Sequence, residues 1–135
     1  MNWNCIGWIF PFDTNEEMER SYVKEGYPLS EVTGRIIAAA IEVHRQLGPG
    51  FQEVIYQRAL ALELPAHDLE FGREVWMDVY YRDKKVGRKR VDFVIDDVMV
   101  EIKAKAQLEP VDFVQTLSYL KASGYKVGLL LNFGA

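Results

Sequence analysis

The chain has 135 residues, of which 49% are hydrophobic and 27% charged, and carries a formal net charge of -4. That length supports one domain with a real core rather than two, and the balance of apolar and charged residues is that of a soluble globular protein, which excludes a disordered chain. The single cysteine, Cys5, excludes an intramolecular disulfide and a cysteine-rich zinc site and fits a reducing, cytoplasmic setting.

The first twelve residues, MNWNCIGWIFPF, are apolar and aromatic. The run is too short to span a bilayer and lacks a basic leader and a small-residue cleavage site, so neither a membrane span nor a targeting signal is expected. It suits a packing segment, a contact for a protein partner or a second copy in a homodimer, or a poorly ordered tail. Six acids then lie between Asp13 and Glu31 against Arg20 and Lys24.

Ser30 is a good N-cap for a helix in which Val32, Ile36, Ile37, Ala40, Val43 and Leu47 recur at helical spacing, with Gly48-Pro49 as its stop. His44, on that helix, reads as a packing or hydrogen-bonding residue; with only His67 beside it, no histidine metal site is expected. A second helix is expected from about Phe51 to Leu64, ended by Pro65. Glu74 to Arg82 is β-branched and aromatic and reads as a strand, with Asp83-Lys84 as a turn. Arg82, Lys84, Lys85, Arg88, Lys89 and Arg90 are opposed only by Asp83. This basic cluster precedes the next strand and suits either phosphate attraction or a solvated turn that protects a sheet edge.

Arg90 to Ile95 and Val98 to Lys103 read as two strands joined at Asp96-Asp97. A two-residue loop sets Ile95 against Val98, Val94 against Met99, Phe93 against Val100 and Asp92 against Glu101. Alternation gives an apolar face of Val91, Phe93, Ile95, Val98, Val100 and Ile102, and an opposite face of Arg90, Asp92, Val94, Met99, Glu101 and Lys103. Facing carboxylates sit about 5 Å apart at Cβ and repel by about 3 kcal/mol at an effective dielectric of about 20. A divalent cation, a shared proton, or splaying into solvent relieves that repulsion, and ordinary ion pairs with Lys103 and Arg90 on a wet face are the plain alternative.

Glu109-Pro110 starts a third helix that Gly124 ends, and Lys126 to Phe133 is an almost unbroken apolar strand. A strand, a crossover helix and another strand imply parallel placement, with the last strand buried on both faces.

Gly50-Phe51-Gln52-Glu53-Val54-Ile55-Tyr56 forms a Gly-x-x-Glu-x-x-Tyr pattern, preceded by IEVHRQLGPG. With VDFVI, VEIKA, QTLSYLKASG and GLLLNFGA in that order, the chain from Leu29 to Ala135 resembles the GxxExxY family of the PD-(D/E)XK nuclease superfamily. The resemblance implies one α/β (α+β) domain over residues 29–135 with an αβββαβ core, a mixed sheet flanked by helices, and an additional N-terminal helix; residues 1–28 form an arm outside it. It implies that Asp92 is the superfamily's acid, Glu101-Ile102-Lys103 its Glu-x-Lys, Glu53 a further carboxylate and Gln115 the polar residue of the later helix. Gly50, Glu53 and Tyr56 carry the family motif.

The function this implies is hydrolysis of phosphodiester bonds in nucleic acid, DNA or RNA. Magnesium or manganese would be held by Asp92, Glu101, Glu53 and the Ile102 carbonyl, oxygen donors of the kind hard cations prefer. Lys103 would act on the attacking water, Gln115 would position, and Arg88, Lys89 and Arg90 would hold the nucleic-acid backbone. The alternative is a non-catalytic module that keeps the fold to bind nucleic acid or protein. Tyr56 and Tyr119 are expected as core aromatics with their hydroxyls at the rim. The helix is expected to run through Leu64-Pro65-Ala66-His67 in such a family, so proline there marks an altered connection into the sheet.

Overall fold

A computed structural model describes residues 7–11 and 30–135 of the chain. Five strands, β1 (Gly7–Pro11), β2 (Gly72–Tyr81), β3 (Lys84–Ile95), β4 (Val98–Lys103) and β5 (Val127–Asn132), and three α-helices, α1 (Ser30–Leu47), α2 (Glu53–Glu63) and α3 (Pro110–Ser123), make up the fold. The sheet order is β1-β5-β4-β3-β2, with β4 and β5 parallel and every other neighbouring pair antiparallel. The expected mixed αβββαβ architecture with an additional helix before it is therefore present. One strand was not expected: Gly7–Pro11, assigned to the arm outside the core, pairs with β5 and becomes a sheet edge. Of the acidic stretch from Asp13, only Glu31 falls among the described residues, and Cys5 does not.

The sheet separates two apolar layers. On one side Ile36, Ile37, Ala39, Ala40 and Val43 of α1 and Tyr56 and Leu60 of α2 pack on Phe93, Val100, Ile102, Leu129 and Leu131. On the other, Leu120 of α3 packs on Met77, Val91, Met99 and Leu130. All six residues of β5 are buried, so its unbroken apolar run has a layer on each face, as expected of a central parallel strand.

Between α1 and α2 the chain turns through Gly48 to Gln52. Gly50 has φ 117°, a backbone state that side-chain-bearing residues rarely adopt. Tyr56, fully buried, donates its hydroxyl to the Gly48 carbonyl, accepts from the Phe51 N–H at 3.2 Å, and stacks on Phe133 with ring centroids 4.9 Å apart. The Gly-x-x-Glu-x-x-Tyr spacing thus has a structural cause. Glycine makes the turn, tyrosine ties it to the core one helical turn later, and Glu53 is left at the first position of α2. The tyrosine hydroxyl lies inside the fold rather than at its rim.

Three local expectations differ from what is observed. Pro65 does not end helical structure at once: Leu64–His67 tightens into a 3-10 turn, with Asp68 at φ 61° closing it. The basic run is not a turn before the strand, because β3 already begins at Lys84 and the turn is Arg82-Asp83, both with positive φ. That is the two-residue hairpin geometry that matches strand twist. Pairing with aromatic β2 carries these lysines and arginines into a strand that their own propensities disfavour.

The third difference lies beside the acids. Val91 shares a layer with Met99 and Val94, not with Phe93, so the expected alternation fails between positions 91 and 93. The β2 and β3 partners run from Arg73 with Phe93 to Val75 with Val91, and the intervening Glu74 has φ 55°. The change of layer falls at this left-handed residue, with no shift of register across it.

Tyr56→Phe removes the hydroxyl bridging Gly48 and Phe51 while keeping the ring stack. It is expected to cost about 1–2 kcal/mol in urea unfolding of the full chain, with an unchanged m-value. Stability equal to that of the wild type would mean that the bridge does not hold the turn.

Candidate active site

The β3 and β4 partners run Ile95 with Val98, Val94 with Met99 and Phe93 with Val100, the register expected from a two-residue loop. At the next position the two strands stop exchanging backbone bonds and side chains take over. The Asp92 N–H donates to Glu101 Oε1 at 3.2 Å, and the Ile102 N–H donates to Asp92 Oδ2 at 2.8 Å. Asp92 and Glu101 are therefore neighbours, as expected, but through reciprocal carboxylate-to-backbone bonds instead of a regular ladder pair.

Each acid has a further partner. Asp92 Oδ1 accepts from Gln57 Nε2 at 2.8 Å, and Gln57 Oε1 accepts from Arg73 Nε at 3.1 Å and Nη2 at 3.0 Å. Because the arginine can only donate and the carboxylate only accept, these partners fix the orientation of the Gln57 amide. Glu101 is 5% exposed, and its Oε2 lies 3.3 Å from Lys89 Nζ. Burial, and then the charge of Asp92, push the Glu101 carboxyl above the usual glutamate range, against the pull of Lys89.

Lys103 approaches from the end of β4, its Nζ 4.0 Å from Asp112 Oδ1 on α3. Asp112 is buried, and its Oδ2 accepts from Lys105 Nζ at 2.9 Å and from the Glu109 N–H at 2.8 Å. Burial acts to raise the Asp112 carboxyl, but the Glu109 N–H and the Lys105 ammonium outweigh it and hold it below the usual range. Beyond β4, Asn132 binds the Lys105 backbone at both N–H and carbonyl, each at 3.0 Å. Gly134 lies so close that a Cβ there would sit 2.4 Å from Lys105 N. The end of the Glu-x-Lys strand is thus clamped from β5.

A groove of about 510 Å³ joins these elements. Glu53, Asp92, Glu101, Ile102 and Lys103 line it, together with Arg88, Lys89, Arg90 and Trp76. Glu53 is exposed at the start of α2. Burial by the protein behind it raises its carboxyl, Lys103 opposes that shift, and Asp92 adds to it. The charges of Lys103 and Asp92 therefore both reach Glu53.

A family model for the PD-(D/E)XK nuclease superfamily matches residues 30–135. The chain belongs to that superfamily. No curated protein and no solved structure matches it. The PD-(D/E)XK assignment agrees with the observed sheet and its flanking helices.

Of the residues that the sequence assigned to a PD-(D/E)XK site, Asp92, Glu101, Lys103, Glu53, Ile102, Arg88, Lys89 and Arg90 come together in this groove. Gln115 does not line it. That residue is exposed on α3, one helical turn from Asp112 and from Tyr119, and Tyr119 lies under the Lys89 ammonium at 4.9 Å. Gly50 and Tyr56 act on the turn that presents Glu53.

Sequence reasoning missed Gln57, Arg73 and Asp112. Gln57 stands four residues after Glu53, so helical spacing could have placed it beside the site, and Asp112 stands at the third position of a helix opened by Glu109-Pro110. Arg73 has no such signal, because it reaches Gln57 only through the folded sheet.

PD-(D/E)XK nucleases generally use divalent metals. Among the described residues no group of three or more His, Cys, Asp or Glu side chains gathers closely enough to hold one. The donors that do converge fit a hard cation in kind: two carboxylates sharing one charged recess, each with lone pairs left over from its hydrogen bonds, beside the Ile102 carbonyl.

The raised carboxyl of Glu101 has a stability consequence. A carboxyl raised on folding contributes stability that is fully present below the unfolded glutamate range and is lost as pH rises through the folded value. In chelator, Glu101→Gln is therefore expected to be more stable than the wild type at neutral pH, with the gap closing as the solution is acidified. A gap that widens on acidification, read from thermal melts across pH, would contradict the assigned shift.

Proposed function

We propose that this protein is a metal-dependent nuclease of the GxxExxY branch, hydrolysing phosphodiester bonds in DNA or RNA. The observation that carries this reading is the convergence of Asp92 and Glu101, with Lys103, in a groove walled by arginine and lysine. Magnesium or manganese would be held by Asp92, Glu101 and the Ile102 carbonyl, with Glu53 as a further carboxylate from α2. A cation bound there supplies activation of water and neutralisation of charge on the phosphate.

The chain's own residues do the rest. Ile102 N–H and Gln57 orient the Asp92 carboxylate, and Arg73 orients Gln57. Lys103, within electrostatic reach of Glu53 and Asp112, presents an ammonium that orients the attacking water and offsets the charge added at phosphorus. Arg88, Lys89 and Arg90 hold the nucleic-acid backbone without reading sequence. No described helix is long and apolar enough to cross a membrane. The single cysteine fits a reducing compartment, and we propose a cytoplasmic setting on that ground. The arm of residues 1–28 is a candidate contact for a second copy or another protein.

One observation favours a second reading, a module that binds without cleaving: Glu53 and the two other acids form no tight three-carboxylate cluster.

Full-length protein incubated with single- and double-stranded DNA and RNA in manganese separates the two readings. The wild type is expected to cleave, and Asp92→Asn and Lys103→Ala each to lose on the order of 100-fold or more in rate. Equal cleavage by all three proteins would mean that the activity does not come from this site. No cleavage of any substrate by the wild type would favour the binding module.

A further inference from the structure

The β3 partners on β4 are confined to Phe93–Ile95, whereas β3 and β2 stay paired out to Lys84 and Tyr81. The hairpin therefore continues beyond β4 as a two-stranded ribbon. Trp76 faces Arg90 across it and Asp78 faces Arg88, and alternation places these four side chains on one face; past a register shift between Val79 and Tyr80, the Tyr80 hydroxyl reaches Asp78 Oδ2 at 3.5 Å and so lies on that face too.

That face is unusual in what it exposes. Trp76 is 50% and Tyr80 61% accessible, although each ring offers a large apolar surface. The Arg88 guanidinium stands 4.0 Å from the Trp76 ring centroid and that of Arg90 5.6 Å. The single acid of the face, Asp78, is paired with Lys85 at 3.2 Å. Trp76, Arg88 and Arg90 also line the groove that holds Asp92 and Glu101, so the strip leads into the site.

We infer that this ribbon face is a track for an unpaired nucleic-acid strand, with Trp76 as a stacking platform for a base and Arg88 and Arg90 as clamps on the flanking phosphates. The inference deepens the nuclease reading by naming its substrate class, and it rests on that reading for the destination of the strand. Two physical points select a single strand. A base can lie flat on Trp76 only if its own face is free, and in a duplex the neighbouring pairs cover that face. Arg88 and Arg90 both reach the Trp76 ring from β3, so a base stacked there would bring its phosphates near two cations, and the chain's net charge of -4 leaves attraction for polyanions to local strips such as this one. Stacking and phosphate contacts do not read the sugar, so DNA and RNA single strands both fit.

The test is fluorescence anisotropy of the full chain in chelator, where nothing is cleaved, with labelled oligothymidine, oligouridine and a DNA duplex of equal length. Both single strands are expected to bind at least about 10-fold more tightly than the duplex. Trp76→Ala is expected to weaken single-strand binding by about 5- to 100-fold, with Trp76→Phe recovering most of the loss. Arg88→Ala and Arg90→Ala are each expected to lower the salt slope of binding by about one. Duplex bound as tightly as either single strand, or Trp76→Ala binding single strands like the wild type, would overturn the inference. The cleavage assay with Asp92→Asn is a separate readout, so failure of the track and failure of the nuclease reading are told apart.

Discussion

Where β3 and β4 part, two backbone N–H groups lose their ladder partners in the interior of the sheet. An unsatisfied buried donor costs about 1–3 kcal/mol, so the parting is tolerable only if something else accepts. Asp92 and Glu101 do so, each bonding the backbone of the other's strand. The same two bonds that make the gap stable fix the positions of both acids. Site geometry and strand geometry are one constraint: neither carboxylate can move without exposing a backbone group, and neither strand can close without displacing a carboxylate.

The surrounding structure serves this junction. The Gly50 turn and the buried Tyr56 set the start of α2, which carries Glu53 to the groove and Gln57 to Asp92. The Asn132 amide and the close approach of Gly134 clamp the end of β4, from which Lys103 projects. Asp112 on α3 gathers Lys105 and, more loosely, Lys103. Mutual repulsion of the acids is offset by these N–H donors, by Gln57 and by Lys89, while burial first and the charge of Asp92 second hold the Glu101 carboxyl above the usual range. A hard cation would relieve both the buried charge and the repulsion.

Much of this was legible in the chain itself. The two-residue loop at Asp96-Asp97 defines the register from Ile95 to Phe93, the apolar run of β5 declares a strand buried on both faces, and Glu109-Pro110 with Gly124 brackets α3. What was hidden depends on contacts that no local pattern encodes. The switch of Val91 to the α3 layer falls opposite a left-handed residue, Glu74, on a neighbouring strand, which no pattern in β3 itself announces. The strand conformation of Lys84 to Arg90 comes from pairing with β2 against weak intrinsic preference. The chain from Arg73 through Gln57 to Asp92 joins residues from a strand, a helix and another strand.

The proposed nuclease site stands on Asp92 and Glu101 together seating a hard divalent cation. Calorimetric titration of manganese into the full-length wild type, Asp92→Asn and Glu101→Gln tests it most directly. A saturable heat in the wild type that both substitutions abolish is expected. A heat that survives either substitution, or a wild type that takes up no manganese, would contradict it.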